Sequence, residues 1–327
     1  MTHNEIAKIQ HYVPQFLLKQ FSSGQKPQVW VFDKTTGKKF KSHVKNVASE
    51  QGFYNFKFKG NELTIEPSLS NIETHASKII KGIVQKNSII DLSDEDMLFL
   101  SHFFALQFVR TKQHRQLFRD LSETLGDTLK KRGEDISHIK DYVDVDDKTL
   151  KLHGIRSVLK SSEYAPYFLK KYWVLFKTTK SHPLYISDNP VTLQNMIDHG
   201  PYGNIGLAVR GIEIYFPLSK TLALGMFCPS HEEECKKTYE NYKLIKQLDP
   251  ELGSRSIKDG SYIEQIMNGF LKRETVPYKA ESVVNHNSLQ VYFSSRFIFS
   301  STDDFSLAIK MIRENPKLKA GPKMIGS

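Results

Sequence analysis

The sequence predicts an α+β domain, rich in helix, with an N-terminal hairpin and a mixed or antiparallel sheet in its C-terminal half. Three observations carry this expectation. Strand-like and helix-like segments cluster along the 327 residues instead of alternating, which argues against a doubly wound sheet. Hydrophobic residues are 39% and charged residues 25% of the chain, the balance of a globular protein that can bury a substantial core. No apolar run approaches the roughly 20 residues needed to cross a bilayer.

The elements follow in order. Pro14 opens a short apolar helix, because proline in the first turn lacks only an N–H that would be unpaired anyway. Ser22-Ser23-Gly24 ends it, and 28–33 then alternates like a strand. Lys34-Thr35-Thr36-Gly37-Lys38 turns the chain back through 39–41 as a hairpin, with further strands at 52–58 and 62–65. Pro67 opens a helix to about residue 85, whose apolar stripe includes Leu69, Ile72, Ala76, Ile80 and Ile83. Ser93-Asp94-Glu95-Asp96 caps the next helix, which is expected to run to about residue 125. Residues 126–147 are charged and glycine-punctuated, as in a surface excursion or a hinge between halves. A helix over 151–170 follows, then strands at 172–176, 184–186, 213–216 and 221–224. Helices at 232–247, 262–271 and 278–294 precede a last short strand at 296–299. Residues 1–316 therefore read as one integrated domain, and 317–327 as a basic flexible tail.

Forty-six basic against 36 acidic residues leave a formal charge of +10. That balance favours contact with polyanions such as nucleic acid, nucleotides or an anionic membrane surface; nucleic acid or a nucleotide is the expected partner, with no membrane. Cys228 and Cys235 are the only cysteines, as expected in a reducing cytosol, and Met1-Thr2-His3-Asn4-Glu5 lacks the pattern of a secretory signal. The expected location is cytoplasmic. The chain carries no H-E-x-x-H, zinc-ribbon, G-x-S-x-G, G-x-G-x-x-G or Walker A pattern, which sets aside several common chemistries.

Polar residues stand where apolar ones are expected. His11 lies just ahead of the proline-started helix, where polar groups and anions gather near a helix start. The helix around 98–110 is apolar on most of its girth, yet Gln107, Arg110 and His114 form one stripe that continues Leu100 and Phe103. A buried guanidinium needs an anionic partner, and two answer that need: an internal carboxylate or a ligand phosphate. Glu66 and Glu73, two helical turns apart, could reach Arg110 or a metal ion. Arg110 and His114 also invite comparison with the Arg/His pair of the HEPN ribonucleases, a metal-independent alternative. Their spacing is one residue short of that motif, and those domains are all-helical. Ser187-Asp188-Asn189-Pro190 ends a strand, where an ordinary tight turn and a catalytic or metal-binding acid are both open readings. The loop from Gly200 to Gly206 could cover such a site.

Taken in order, His11-Tyr12-Val13-Pro14, Gln107 with Arg110-Thr111, Ser187-Asp188-Asn189-Pro190 and Phe216-Pro217-Leu218-Ser219 resemble the bacterial domain-of-unknown-function family 4238. Asn285 and Asn287 ahead of Arg296-Phe297-Ile298 fit its C-terminal part, so the resemblance spans nearly the whole chain. It implies no reaction, but it groups His11, Gln107, Arg110, Asp188 and Asn189 as one candidate pocket. In that set His11, Asp188 and Arg110 are the expected catalytic residues. Gln107, Asn189, His114, Asn285 and Asn287 are the expected substrate contacts, with Asp188 and Glu73 as candidate ligands for Mg²⁺ or Mn²⁺. One imidazole, one carboxylate and one guanidinium suit phosphodiester or nucleotide hydrolysis. The leading expectation is an enzyme acting on a phosphate-bearing substrate, a nuclease of toxin or phage-defence type. The alternative is a non-catalytic module that senses a nucleotide or small anion.

Overall fold

The computed structural model describes residues 9–134, 145–200, 203, 205–249 and 260–323. The N-terminal part opens with strand β1 (Ile9–His11) and helix α1 (Gln15–Lys19), followed by the hairpin β2 (Gln28–Asp33) and β3 (Lys39–His43). Asp33 makes this hairpin's turn, accepting the Thr35 N–H at 3.0 Å, and Gly37 takes the left-handed φ of +71° that side chains disfavour. Strand β4 (Ser49–Gln51) returns to pair with β1, His11 opposite Ser49, and β5 (Asn55–Phe58) pairs with β6 (Asn61–Thr64).

Helices follow: α2 (Glu66–Lys86), α3 (Asp94–Val109), α4 (Lys112–Lys131), α5 (Asp147–Leu159) and α6 (Ala165–Leu169). The C-terminal half holds a five-stranded mixed sheet. Its strands β7 (Tyr172–Lys177), β9 (Thr192–Asn195), β10 (Ile212–Ser219) and β11 (Leu222–Phe227) are antiparallel, and β12 (Val276–Pro277) joins β7 in parallel. Helices α7 (Pro229–Leu248), α8 (Gly260–Lys272) and α9 (Ala280–Phe293) accompany it, and β13 (Phe297–Ser300) and α10 (Ser306–Glu314) finish the chain. Strand β13 inserts between β2 and the two-residue β8 (Ile186–Ser187), so the N-terminal hairpin and the C-terminal region share a four-stranded sheet.

Helix α3 explains why the two halves cannot part. It is apolar around its girth because it is enclosed, and Phe103 and Phe104 meet Phe216 of β10 at ring separations of 6.2 and 4.9 Å. One apolar cluster takes in Tyr12, Phe21, Ile80, Phe104, Leu224 and Phe299, giving both halves a common core in an α+β domain.

Several elements differ from expectation, each for a local reason. The helix expected to reach residue 125 breaks after Val109. Thr111 leaves the helical region and its Oγ1 accepts the His114 N–H at 3.3 Å, starting α4 afresh. The helix expected over 151–170 breaks at the 3₁₀ turn Ser161–Tyr164, and Pro166 restarts it. The charged stretch from 126 begins as helix through Lys131, while 135–144 lies outside the described residues. Pro201, Tyr202 and Asn204 of the expected covering loop also lie outside them. The tail does not start at 317: Pro316–Lys319 forms a 3₁₀ turn, Leu318 joins a small cluster with Phe32 and Phe305, and Gln113 donates to the Pro322 carbonyl at 2.7 Å.

Candidate functional site

Strand β1 ends in two peptide carbonyls that α3 captures. Gln107 Nε2 and Arg110 Nε both donate to the Tyr12 carbonyl, at 2.9 and 3.0 Å. Arg110 Nη2 donates to the His11 carbonyl at 3.2 Å, which also accepts the Tyr54 hydroxyl at 3.2 Å. The same Nη2 meets Glu73 Oε1 of α2 at 2.7 Å. Arg110 is 1% exposed, so it has the internal carboxylate its burial demands. Its Nη1 is sealed and without an acceptor.

This clamp holds His11 over the polar face of α2. Glu66, Ser70, Glu73, Ser77 and Lys81 recur at helical spacing on that face. With His11, Gln15, Phe16, Thr74 and Lys78 they line an open cleft of about 440 Å³, within the range of small-ligand sites. His11 Nε2 and Glu66 Oε2 are both buried and unpartnered. Burial lowers the His11 pKa, outweighing the backbone at Lys45 and the Glu73 carboxylate. Burial, reinforced by the Glu73 charge, raises Glu66 to about 7 against the pull of Arg110. Near neutrality the cleft therefore holds a neutral imidazole and a carboxyl able to carry a proton, with Lys78 and Lys81 on the same helix. Helix α1 has only five residues, so its start contributes little field to His11.

Asp188 lies elsewhere and does different work. Its Oδ1 accepts the Ser295 N–H at 2.8 Å, and Oδ2 accepts the Ser295 hydroxyl and the Arg296 and Phe297 N–H groups at 2.7 to 2.9 Å. The carboxylate is 1% exposed and shares no hydrogen bond or ion pair with His11 or Arg110. It pins the turn into β13. Asn189 accepts the Thr111 hydroxyl at 3.0 Å and donates to the Phe293 carbonyl at 3.0 Å, tying the α3–α4 break to the end of α9. Asn287 accepts the Tyr185 N–H at 2.7 Å and donates to the Pro183 carbonyl at 3.1 Å.

The chain matches the family described as "Protein of unknown function (DUF4238)" over residues 9–304. It belongs to that family. No curated protein and no solved structure matches it.

In this DUF4238 chain the grouped residues thus divide. His11, Gln107 and Arg110 converge, through backbone carbonyls instead of side-chain contacts. Asp188, Asn189 and Asn287 each bond other partners, and exposed Asn285 bonds Gln194 at 2.9 Å. His114 is not on Arg110's helix. Its ring packs against Phe108 and Phe118, and burial lowers its pKa to about 4. The Arg110/His114 pair is therefore split between two helices and two environments, which removes the geometry of the HEPN comparison. Among the described residues no group of three or more His, Cys, Asp or Glu could hold a metal ion, and both metal-ligand candidates, Asp188 and Glu73, already have partners. No helix among them is long and apolar enough to cross a membrane. Sequence reasoning missed Lys78 and Lys81, and gave Glu66 only as a partner for Arg110 or a metal ion. Their signal was the polar stripe that flanks the Leu69/Ile80 stripe of α2.

Proposed function

We propose that this cleft carries out acid–base hydrolysis of a phosphate-bearing substrate, with His11 as base and Glu66 as acid. The observation that carries the reading is the opposite displacement of two titratable groups in one open cleft, each with an unpartnered buried atom. Substrate entry has to uncover His11 Nε2, which then takes the proton of the attacking water or ribose hydroxyl as its oxygen bonds to phosphorus. The Glu66 carboxyl returns a proton to the leaving oxygen as the P–O bond breaks, and Lys78 and Lys81 meet the non-bridging oxygens. The formal charge of +10 favours a nucleic-acid substrate, hence a nuclease of toxin or phage-defence type.

Labelled single-stranded RNA, DNA and dinucleotides, incubated with Mg²⁺, Mn²⁺ or chelator, test it. Cleavage is expected, with His11→Ala and Glu66→Gln each lowering the rate about 10²–10⁴-fold while circular dichroism stays unchanged. Activity should fall on the alkaline side as Glu66 loses its proton near pH 7. No cleavage under any condition, or cleavage unaffected by both variants, defeats the proposal. The cations Lys78 and Lys81 lining the open cleft favour a second reading, small-anion sensing without turnover. Thermal stabilisation by nucleotides that remain intact would select it.

A further inference from the structure

On α4 and α5 a second groove of about 360 Å³ is lined by Lys112, Arg115, Arg119 and Lys151 together with Glu50 and Asp147. The two acids are already held. Lys112 pairs with Glu50, and Arg119 pairs with Asp147. Arg115 and Lys151 have no ion pair among the described residues.

Arg115 is built into place. Its guanidinium carbon lies 3.5 Å from the centre of the Phe53 ring, and its Nη2 donates to the Phe53 carbonyl at 2.7 Å. On its other side stands Gly154, inside α5, where a Cβ would come within 2.6 Å of Arg115 Nε. Glycine is a poor choice for a helix interior, and here it leaves the slot that the arginine fills. Arg115 Nη1 has no protein acceptor and is not sealed from solvent. Burial lowers Arg115 to about 10, and burial with the neighbouring Arg115 charge lowers Lys151. Like charges crowded at a shaped, open groove are stabilised by an anion with several oxygens.

We infer that this groove binds a phosphoryl group, with Arg115 presenting its planar fork and Lys151 its ammonium to the same oxygens. The phosphoryl group belongs either to a free phosphate compound or to a nucleic-acid backbone. The inference does not rest on the chemistry proposed for the His11 cleft.

Calorimetric titration with inorganic pyrophosphate and anisotropy with a labelled oligothymidylate, both at low salt, test it. The wild-type protein should bind pyrophosphate, and Lys151→Gln should weaken binding about tenfold, the usual scale for one charge-assisted hydrogen bond. Arg115→Lys keeps the charge but loses the fork, so it should weaken binding as well and serves if Lys151→Gln fails to fold. If pyrophosphate displaces the oligothymidylate, the groove takes backbone phosphates; if pyrophosphate alone binds, it takes free ones. Either result upholds the site. Absence of binding by both probes, or binding unchanged in a folded variant, overturns it. Binding with no turnover of any substrate upholds the groove and counts only against the cleft's chemistry.

Discussion

Arg110 shows how one side chain can carry a motif it does not belong to. The His11-Tyr12-Val13-Pro14 segment is held through main-chain oxygens, three of whose hydrogen bonds come from Arg110 and Gln107. The side chains of that segment are thereby left free for other use, and His11 turns its ring into the cleft wall. Removing the guanidinium would leave two carbonyls under-satisfied and Glu73 facing an empty space. Arg110→Ala is expected to lower the unfolding free energy by about 3–5 kcal/mol, the cost of breaking a buried pair from one side. Glu73→Gln should cost less, because Glu73 is partly open to water, its amide oxygen can still accept from Arg110 and Glu66 still faces the guanidinium charge. Denaturant titration of both variants checks this. Equal losses would mean that the ion pair, and not the carbonyl clamp, is what Arg110 supplies.

At the scale of elements, the break between α3 and α4 is the joint on which the site residues turn. Thr111 does two things there: it caps α4 and it bonds Asn189 at 3.0 Å. Thr111→Val keeps the shape and removes both bonds, so a loss of about 1–3 kcal/mol is expected from a cap and an orphaned buried amide. Urea unfolding measures it; a loss no larger than a surface substitution gives would show the joint is held by packing alone. This joint also marks how far the sequence could be read. The apolar girth of α3, the Leu69/Ile80 stripe of α2 and the β2–β3 hairpin were legible because their periodicity is local. The polar stripe Gln107/Arg110/His114 was legible too, but a threonine two positions past the last α3 residue splits it, and threonine caps are common enough in helices to pass unnoticed. Strands β1, β4 and β12 carry two or three residues each, too few for alternation to register. Asp188 was visible as a polar strand end. Its role was not, because the N–H groups that fill its oxygens come from residues more than 100 positions later.

Across the whole molecule, buried titratable groups set how the fold responds to pH. His286 on α9 is 1% exposed, both its ring nitrogens lack partners, and the rings of Tyr215 and Tyr278 stand 6.0 and 6.1 Å away. Burial lowers its pKa from 6.5 to about 3, and His114 follows to about 4. Below pH 6.5 the unfolded chain takes up protons that these folded imidazoles refuse, so both contribute a loss of stability as the medium is acidified. Glu66 acts in the opposite sense: raised from 4.5 to about 7, it favours the folded state at low pH and loses that contribution as pH rises through 7. Between pH 6.5 and 4.5 three histidines, His286, His114 and His11, oppose two carboxylates, Glu66 and Glu213, whose pKa burial also raises. Stability should therefore fall on acidification over that window. Replacing His286 with leucine keeps the apolar packing and removes one of the refused protons. The slope of unfolding free energy against pH should then flatten by about 1.4 kcal/mol per pH unit, one proton's worth. Denaturation of wild type and His286→Leu across the window gives two lines that diverge toward acid. Parallel lines would mean that His286 takes its proton in the folded state, through a rearrangement of α9 against the β10–β11 sheet that lets water reach the ring.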